Sequence, residues 1–181
     1  MKILLTILAC IVVAAAGLVA FIYSGIYDVS ATEPDVPIVA WALHTVSNHS
    51  INARLGDIVV PPGLDAAQMI QAGGHLFAQN CVVCHGGPGL KATNIRQGLN
   101  PAPPDLFRAG RKPSMAETFR FIKYGVKMTA MPGFAGTQTD EKIWQLAAFV
   151  QKAPGMSPTD FIAQTGIPTG TSQAVDAPVG G

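Results

Sequence analysis

The chain has 181 residues, of which only 13% are charged, and its formal net charge at pH 7 is +1. This balance argues against nucleic acid as a partner, because nucleic-acid-binding domains carry a clustered excess of positive charge. With only 3 cysteines, the chain lacks the dense disulfide framework that stabilises many small secreted domains. When an apolar leader and a polar tail are subtracted from this length, the remaining residues suit one domain.

The chain begins with an apolar segment. After Lys2, residues 3–23 contain no charged side chain, and at about 1.5 Å per residue a helix of this length crosses a hydrocarbon core of about 30 Å. A cleaved signal peptide usually has a shorter apolar stretch of about 7–15 residues. We therefore predict a transmembrane anchor over residues 1–24, with Lys2 on the cytoplasmic side. A cleaved signal ending near Ala14-Ala15-Ala16 is the alternative, and both readings export the rest of the chain.

Residues 25–65 are predicted to form a linker and a juxtamembrane segment. The first part, together with Ser24 before it, is polar and rich in turn formers up to residue 37. The second part, residues 38–55, has apolar side chains at helical spacing and is compatible with a helix. Trp41 in this second part suits a lipid–water interface. The segment ends at the chain-breaking sequence Pro61-Pro62-Gly63.

Helical spacing and terminal signals predict four helices after this segment: residues 66–80, a helix between Ser114 and Gly125, residues 139–152, and a short helix that starts at Ser157. Asp65 and Gln68 have the spacing of a capping box, and Ser114 and Glu117 repeat that pattern. No stretch alternates as a strand would, so we predict an all-α fold. Residues 154–181 are predicted to be a short helix and a disordered tail, because the tail is rich in Gly, Pro, Thr and Ser.

The motif Cys81-Val82-Val83-Cys84-His85 carries the chemistry. This spacing is that of covalent haem attachment, in which each thiol adds to one vinyl group and the histidine binds the iron. A zinc half-site would need a second pair of ligands, and the remaining cysteine, Cys10, lies in the apolar leader. A thioredoxin-like redox pair would need a βαβ setting. We predict one haem c, bound through two thioethers at Cys81 and Cys84, with His85 as an iron ligand.

The second axial ligand is expected late in the chain, on a loop of fixed geometry. Met131 fits this description, since Pro132 rigidifies the backbone beside it. Met128 is the competing candidate, although no proline follows it. The remaining internal methionines are predicted to fill the core: Met69, Met115 and Met156. The Nδ1–H of His85 needs an acceptor, and a carbonyl within residues 103–106 is the candidate.

Three segments resemble class I c-type cytochromes, and they occur in that family's order. Residues 73–81 resemble its first helix, residues 127–134 its methionine loop, and residues 143–150 its last helix. The resemblance covers about residues 66–153. It implies a cytochrome c fold around one covalently attached haem. The long loop of residues 86–104 departs from the family pattern.

In that family the first and last helices cross closely. The resemblance therefore implies that Gly73 and Phe77 pack against Leu146 and Phe149. It also implies that the iron, held by His85 and Met131, has no open position, which suits outer-sphere electron transfer and opposes substrate binding.

The predicted function is that of a c-type cytochrome in a bacterial cytoplasmic (inner) membrane, with a single span and its haem domain facing the periplasm. Its partners would be membrane lipid, through residues 1–24, and redox proteins: a dehydrogenase as donor and an oxidase or other acceptor. The alternative is a haem enzyme, a peroxidase or a small-molecule oxidoreductase, with a labile sixth ligand. A gas sensor would need a signalling domain in addition.

Between Lys91 and Lys127 the sequence has eight basic residues and two acidic ones. This stretch is either ordinary solvated surface or a basic rim that steers an acidic redox partner. Arg96 and Arg108 are candidates for neutralising the haem propionates. The histidines outside the motif are predicted to lie at the surface or at an interface: His44, His49 and His75.

Overall fold

The computed structural model describes residues 1–110 and 113–167. Within these residues the regular elements are eight helices: α1 (Lys2–Tyr23), α2 (Pro37–Asn52), α3 (Ala67–Asn80), α4 (Val82–His85), α5 (Asn94–Gln97), α6 (Met115–Tyr124), α7 (Asp140–Lys152) and α8 (Pro158–Thr165). The all-α class predicted from the sequence is confirmed. The predicted disordered tail lies outside the described residues from residue 168 onward, as do Arg111 and Lys112.

The chain divides into two compact units, Met1–Glu33 and Pro34–Gly181. The first unit contains α1, none of whose side chains is buried. By length and composition α1 is able to cross a membrane, a property it shares with signal sequences near an N-terminus. The boundaries predicted at residues 24, 65 and 153 stay predictions.

The second unit is built on the crossing of α3 and α7, where a glycine lets the two backbones meet. A Cβ atom at Gly73 would overlap the carbonyl oxygen of Gln145 and would lie 2.9 Å from the Cβ of Phe149. One turn later, Phe77 is fully buried, and its ring centre lies 5.1 Å from that of Phe149. Leu146 is buried in the same core. The predicted close crossing of the first and last helices is confirmed.

Four phenylalanine rings join this crossing to α8 and to the segment after residue 104. The rings of Phe77 and Phe107 meet edge to face at 5.7 Å, and those of Phe107 and Phe161 do so at 5.4 Å. Such edge-to-face pairs add about 0.5–1.5 kcal/mol each beyond the apolar area that they bury. Phe161 also packs against Gly87, where a Cβ atom would overlap its ring.

Side-chain caps place the starts of the later helices. At α6 the hydroxyl of Ser114 accepts a hydrogen bond from the Glu117 amide, and the Glu117 carboxylate accepts one from the Ser114 amide, which confirms the predicted capping box. Gly125 ends α6 with a φ of 64°, a conformation that glycine adopts without steric cost. Thr139 caps α7 and Ser157 caps α8.

The predicted N-cap of α3 at Asp65 is wrong. Ala66 takes the N-cap position, and no side chain caps the helix. The Ala66 amide donates to the carbonyl of Gly63 at 3.2 Å, and Gly63 has a φ of 79°. A glycine turn therefore precedes the helix and places Asp65 before its first turn, so the turn overrides the capping-box spacing.

Helix α2 matches the juxtamembrane helix predicted over residues 38–55, with a start at Pro37 and an end at Asn52. Proline is favoured at this first position, because its missing N–H would have no partner there. The side chain of Trp41 is 64% exposed. Its contact with a lipid interface stays a prediction.

The Gly73→Ala variant should lower the free energy of unfolding by about 1–3 kcal/mol, the usual cost of overpacking a tight contact. This loss should exceed the gain from the higher helix propensity of alanine. Urea unfolding of the haem-loaded protein, followed by circular dichroism, measures the difference. Gly136→Ala is the matched control, because a Cβ atom there meets nothing within 4 Å. Equal unfolding free energies for the two variants would contradict the close crossing.

Candidate haem-binding site

The Cys-x-x-Cys-His motif forms a helical turn directly after α3. The Cys81 amide donates to the carbonyl of Phe77 at 2.9 Å, so the motif continues from the buried end of α3. The amides of Cys84 and His85 then both donate to the Cys81 carbonyl, at 3.1 and 2.9 Å. Residues three and four apart on a helical turn share one face. The turn therefore presents both thiols and the imidazole together.

The environment of Cys81 favours an uncharged sulfur. Burial raises the pKa of Cys81 to about 12, and the neighbouring Cys84 adds to this shift. A zinc ligand or a redox-active cysteine works as a thiolate, whereas a thioether carries no charge. Among the residues that the structure describes, no group of three or more His, Cys, Asp or Glu could hold a metal ion. These observations oppose a zinc site and a redox pair.

The His85 ring is held in one orientation by the backbone. Its Nδ1 atom lies 3.1 Å from the carbonyl oxygen of Pro104, which confirms the acceptor predicted within residues 103–106. Because a carbonyl only accepts, Nδ1 carries the proton and Nε2 keeps its lone pair. Burial lowers the pKa of His85, against the hydrogen bond to Pro104, and the positive charge of Arg96 lowers it further. The imidazole is therefore neutral at pH 7, as a metal ligand requires.

The long loop after His85 folds back onto the attachment turn through α5. Thr93 Oγ1 donates to the carbonyl of Val83 at 2.6 Å, and Arg96 Nη1 donates to the carbonyl of Cys84 at 2.6 Å. Carbonyls at a helix end have no hydrogen-bond partner within the helix. The loop supplies a side-chain donor to each of these two carbonyls. Sequence analysis missed the role of Thr93, although its position as N-cap of α5 was a readable signal.

A cavity of about 380 Å³ opens beside His85. Its lining combines apolar and cationic side chains: Leu90, Phe107 and Met156 with Lys91, Arg96 and Arg108. Cofactor sites commonly combine mostly apolar walls with a few charged groups. Leu90 and Phe107 offer apolar contacts for a haem macrocycle, and Arg108 offers a guanidinium group for its carboxylates, since the guanidinium of Arg96 is already bound to the Cys84 carbonyl. Cys81 and Cys84 lie outside this lining. Both arginines that the sequence suggested for the propionates lie here.

The methionine loop after α6 is closed by its own hydrogen bonds. The Val126 amide donates to the Met131 carbonyl at 3.2 Å. The hydroxyl of Thr129 donates to the Val126 carbonyl at 2.8 Å and accepts from the Met131 amide at 3.1 Å. The backbone of Met131 is thereby fixed on both sides. Sequence analysis did not single out Thr129.

The two candidate methionines differ in burial. Met131 is half-buried and packs against the hydrophobic core, whereas Met128 is 77% exposed, with a φ of 60°. Neither lines the cavity beside His85, where the methionine is Met156. Of the two predicted ligands, the structure therefore places His85 at this cavity and Met131 at the edge of the core.

The remaining histidines lie at the surface, as predicted. His44 and His49 are exposed on α2, where the Asn48 side-chain nitrogen lies 3.2 Å from a ring nitrogen of His44. His75 is exposed on α3. None of the three lines the cavity beside His85.

A protein-family model described as "Cytochrome C oxidase, cbb3-type, subunit III" matches residues 68–150. This range contains the attachment turn, the loop that ends at Pro104, the methionine loop and most of α7. Over these residues the chain carries a cytochrome c domain, which supports a class I c-type cytochrome. The cytochrome domain binds haem iron and serves electron transport. Comparisons with curated proteins and with solved structures find no match.

Proposed function

We propose that this cytochrome is a membrane-anchored carrier of single electrons. One haem c would be bound through thioethers at Cys81 and Cys84, with His85 and Met131 as axial ligands. The observation that carries the proposal is the state of His85. Its Nδ1–H is committed to the Pro104 carbonyl at 3.1 Å, so its Nε2 lone pair is free for iron, directly after two neighbouring thiols.

The haem supplies a one-electron couple at its iron, and the chain's own residues tune that couple. Pro104 fixes the imidazole ring and raises its basicity as a ligand. As an iron ligand, the thioether of Met131 would favour the ferrous state and so would raise the reduction potential above that of a site with two nitrogen ligands. The apolar side chains of Leu90 and Phe107 in the cavity disfavour the extra positive charge of the ferric state.

Two protein ligands would leave the iron without an open position. The neighbours of Met131 are Ala130, Pro132, Gly133 and Phe134, and none of these side chains can transfer a proton. General acid–base catalysis needs such a group within hydrogen-bond reach. This composition supports electron transfer over a peroxidase or a small-molecule oxidoreductase.

We place the cytochrome in a bacterial cytoplasmic (inner) membrane. Helix α1 would remain as a single span with Lys2 on the cytoplasmic side, in line with the positive-inside rule. The haem domain would then face the periplasm, where a haem attached after export would be found. The length and apolar composition of α1 support this placement.

The redox partners would be a dehydrogenase as donor and an oxidase or other protein as acceptor. The description of the matched family names an oxidase subunit, which favours an oxidase as acceptor, or as the complex that the cytochrome joins. The surface around the end of α6 suits an acidic partner. There Tyr124 is 56% exposed, the Arg120 guanidinium carbon lies 4.8 Å from its ring centre, and Lys127 is exposed.

Replacement of Met131 by alanine should lower the reduction potential and open the iron to carbon monoxide. At a fixed ambient potential, the ferrous-to-ferric ratio should fall by about tenfold or more. A tenfold fall corresponds to a reduction potential about 59 mV lower for one electron. The far-red absorption band that marks methionine–iron ligation in class I cytochromes should disappear. Redox titration and carbon monoxide binding at neutral pH measure these effects.

Two methionine variants serve as controls. Met128→Ala and Met156→Leu should keep the far-red band, the potential and the resistance to carbon monoxide. Loss of the band in either control, with Met131→Ala unaffected, would move the axial ligand to that residue. Rapid carbon monoxide binding by the unmodified ferrous protein would instead favour a haem enzyme or a sensor.

The rate of electron transfer to an acidic redox protein should fall as salt rises. Between 0.01 and 0.15 M salt the screening length shrinks from about 30 to about 8 Å, and electrostatic steering commonly changes association rates by about tenfold or more. Stopped-flow mixing measures this rate, with an uncharged reductant as control. The Lys127→Gln variant should show a shallower dependence on salt. A transfer rate of the unmodified protein that does not change with salt would contradict binding of an acidic partner at the surface around the end of α6.

A further inference from the structure

The loop of residues 86–104 contributes more than a connection between the attachment turn and Pro104. Its one helical turn, α5, directs two side chains at the attachment turn. Thr93 binds the carbonyl of Val83 and Arg96 binds the carbonyl of Cys84, each at 2.6 Å. The second of these carbonyls belongs to the residue just before His85. The loop therefore brings a fixed positive charge to the histidine side of the site.

Arg96 is held in place from two directions. Its guanidinium is tied to Cys84, while its backbone amide donates to Thr93 Oγ1 at 3.0 Å. Because Thr93 in turn donates to Val83, the three hydrogen bonds form one connected unit. A side chain fixed in this way has little freedom to move its charge away from the turn.

In the described part of the chain, no carboxylate forms an ion pair with Arg96. The ion pair found there joins Lys123 to Asp140, not Arg96 to a carboxylate. In the cavity lining Arg96 is accompanied by two further cations, Lys91 and Arg108, and by one carboxylate, Asp105, which is exposed. Arg96 itself is half-buried, so salt screens its charge less than it screens a fully exposed one.

We propose that Arg96 sets the reduction potential of the haem iron from the histidine side, with Thr93 as the positioning residue that holds it there. A cation close to the iron destabilises the ferric state, which carries one more positive charge than the ferrous state. Arg96 therefore raises the potential through its charge, while α5 fixes the distance over which that charge acts. This inference rests on the proposed attachment at Cys84 and ligation by His85.

Redox titration of the full-length, haem-loaded protein tests the proposal with three variants. Arg96→Gln removes the charge and keeps an N–H donor, so the ferrous-to-ferric ratio at fixed ambient potential should fall by about three- to tenfold, tenfold being about 59 mV. Arg96→Lys keeps the charge and should stay within about twofold of the unmodified protein. Thr93→Val removes the hydroxyl that positions Arg96 and should give an intermediate fall.

The matched control is Arg54→Gln. Arg54 also donates to a backbone carbonyl, that of Ser50 at 2.8 Å, and does not line the cavity, so this variant should shift the ratio by less than about twofold. The shift of Arg96→Gln should persist in 1 M salt, where screening removes the influence of exposed charges. Equal shifts for the two glutamine variants, or no shift for Arg96→Gln, would overturn the proposal. An equal fall for Arg96→Lys would also overturn it, since the charge would then not be the cause.

Spectra of the same samples separate this inference from the proposed function. Absence of the far-red methionine band in the unmodified protein would contradict the proposed axial ligands, whatever the variants do. A normal band in Arg96→Gln with an unchanged potential would overturn the role of Arg96 alone. If Arg96→Gln does not retain haem, Thr93→Val decides: a lowered potential supports the proposal, and an unchanged one overturns it.

Discussion

The hydrogen bond from His85 Nδ1 to the carbonyl of Pro104, 3.1 Å long, joins the attachment turn to the far end of the loop that follows it. It fixes the tautomer of the imidazole, and burial keeps the ring neutral by lowering its pKa. Without this bond the ring could rotate or present its protonated nitrogen to the iron. The proposed axial ligation, and the electron transfer that depends on it, therefore rest on this contact.

The aromatic core holds both partners of that hydrogen bond in place. Phe77 lies one turn before Cys81 and Phe107 lies three residues after Pro104, and their rings meet at 5.7 Å. Phe161 packs against Phe107 and against Gly87, two residues after the histidine. The crossing of α3 and α7 at Gly73 thus does more than close a helical core, because it fixes the distance between the two ends of the site.

The sequence was most informative where chemistry or steric fit demands one residue type at one spacing. The Cys-x-x-Cys-His motif, the glycine at the helix crossing and the Ser114–Glu117 cap are of this kind, and the structure has the local geometry that each implies. Asp65 failed as a cap because a glycine turn two residues earlier decides where α3 begins. Spacing alone does not reveal which of two local signals prevails.

Contacts between residues far apart in the chain were the other feature that the sequence did not predict. The pairing of Arg96 with Cys84 spans 12 residues of a loop without periodicity, so no local pattern predicts it. Likewise, Met156 packs against the core as predicted, but its place in the lining of the cavity beside His85 was not predicted. Its place there follows from how the chain folds after α7, between Lys152 and the start of α8. The sequence therefore predicted the residues that carry the chemistry better than the residues that surround them.

Mass spectrometry of proteolytic peptides from the mature, membrane-isolated protein tests the central claim most directly. The account predicts that the peptide containing Cys81 and Cys84 carries the added mass of one haem and that neither thiol of that peptide reacts with an alkylating agent. Recovery of this peptide without the added mass, with both thiols open to alkylation, would contradict covalent attachment and the electron-carrier function built on it.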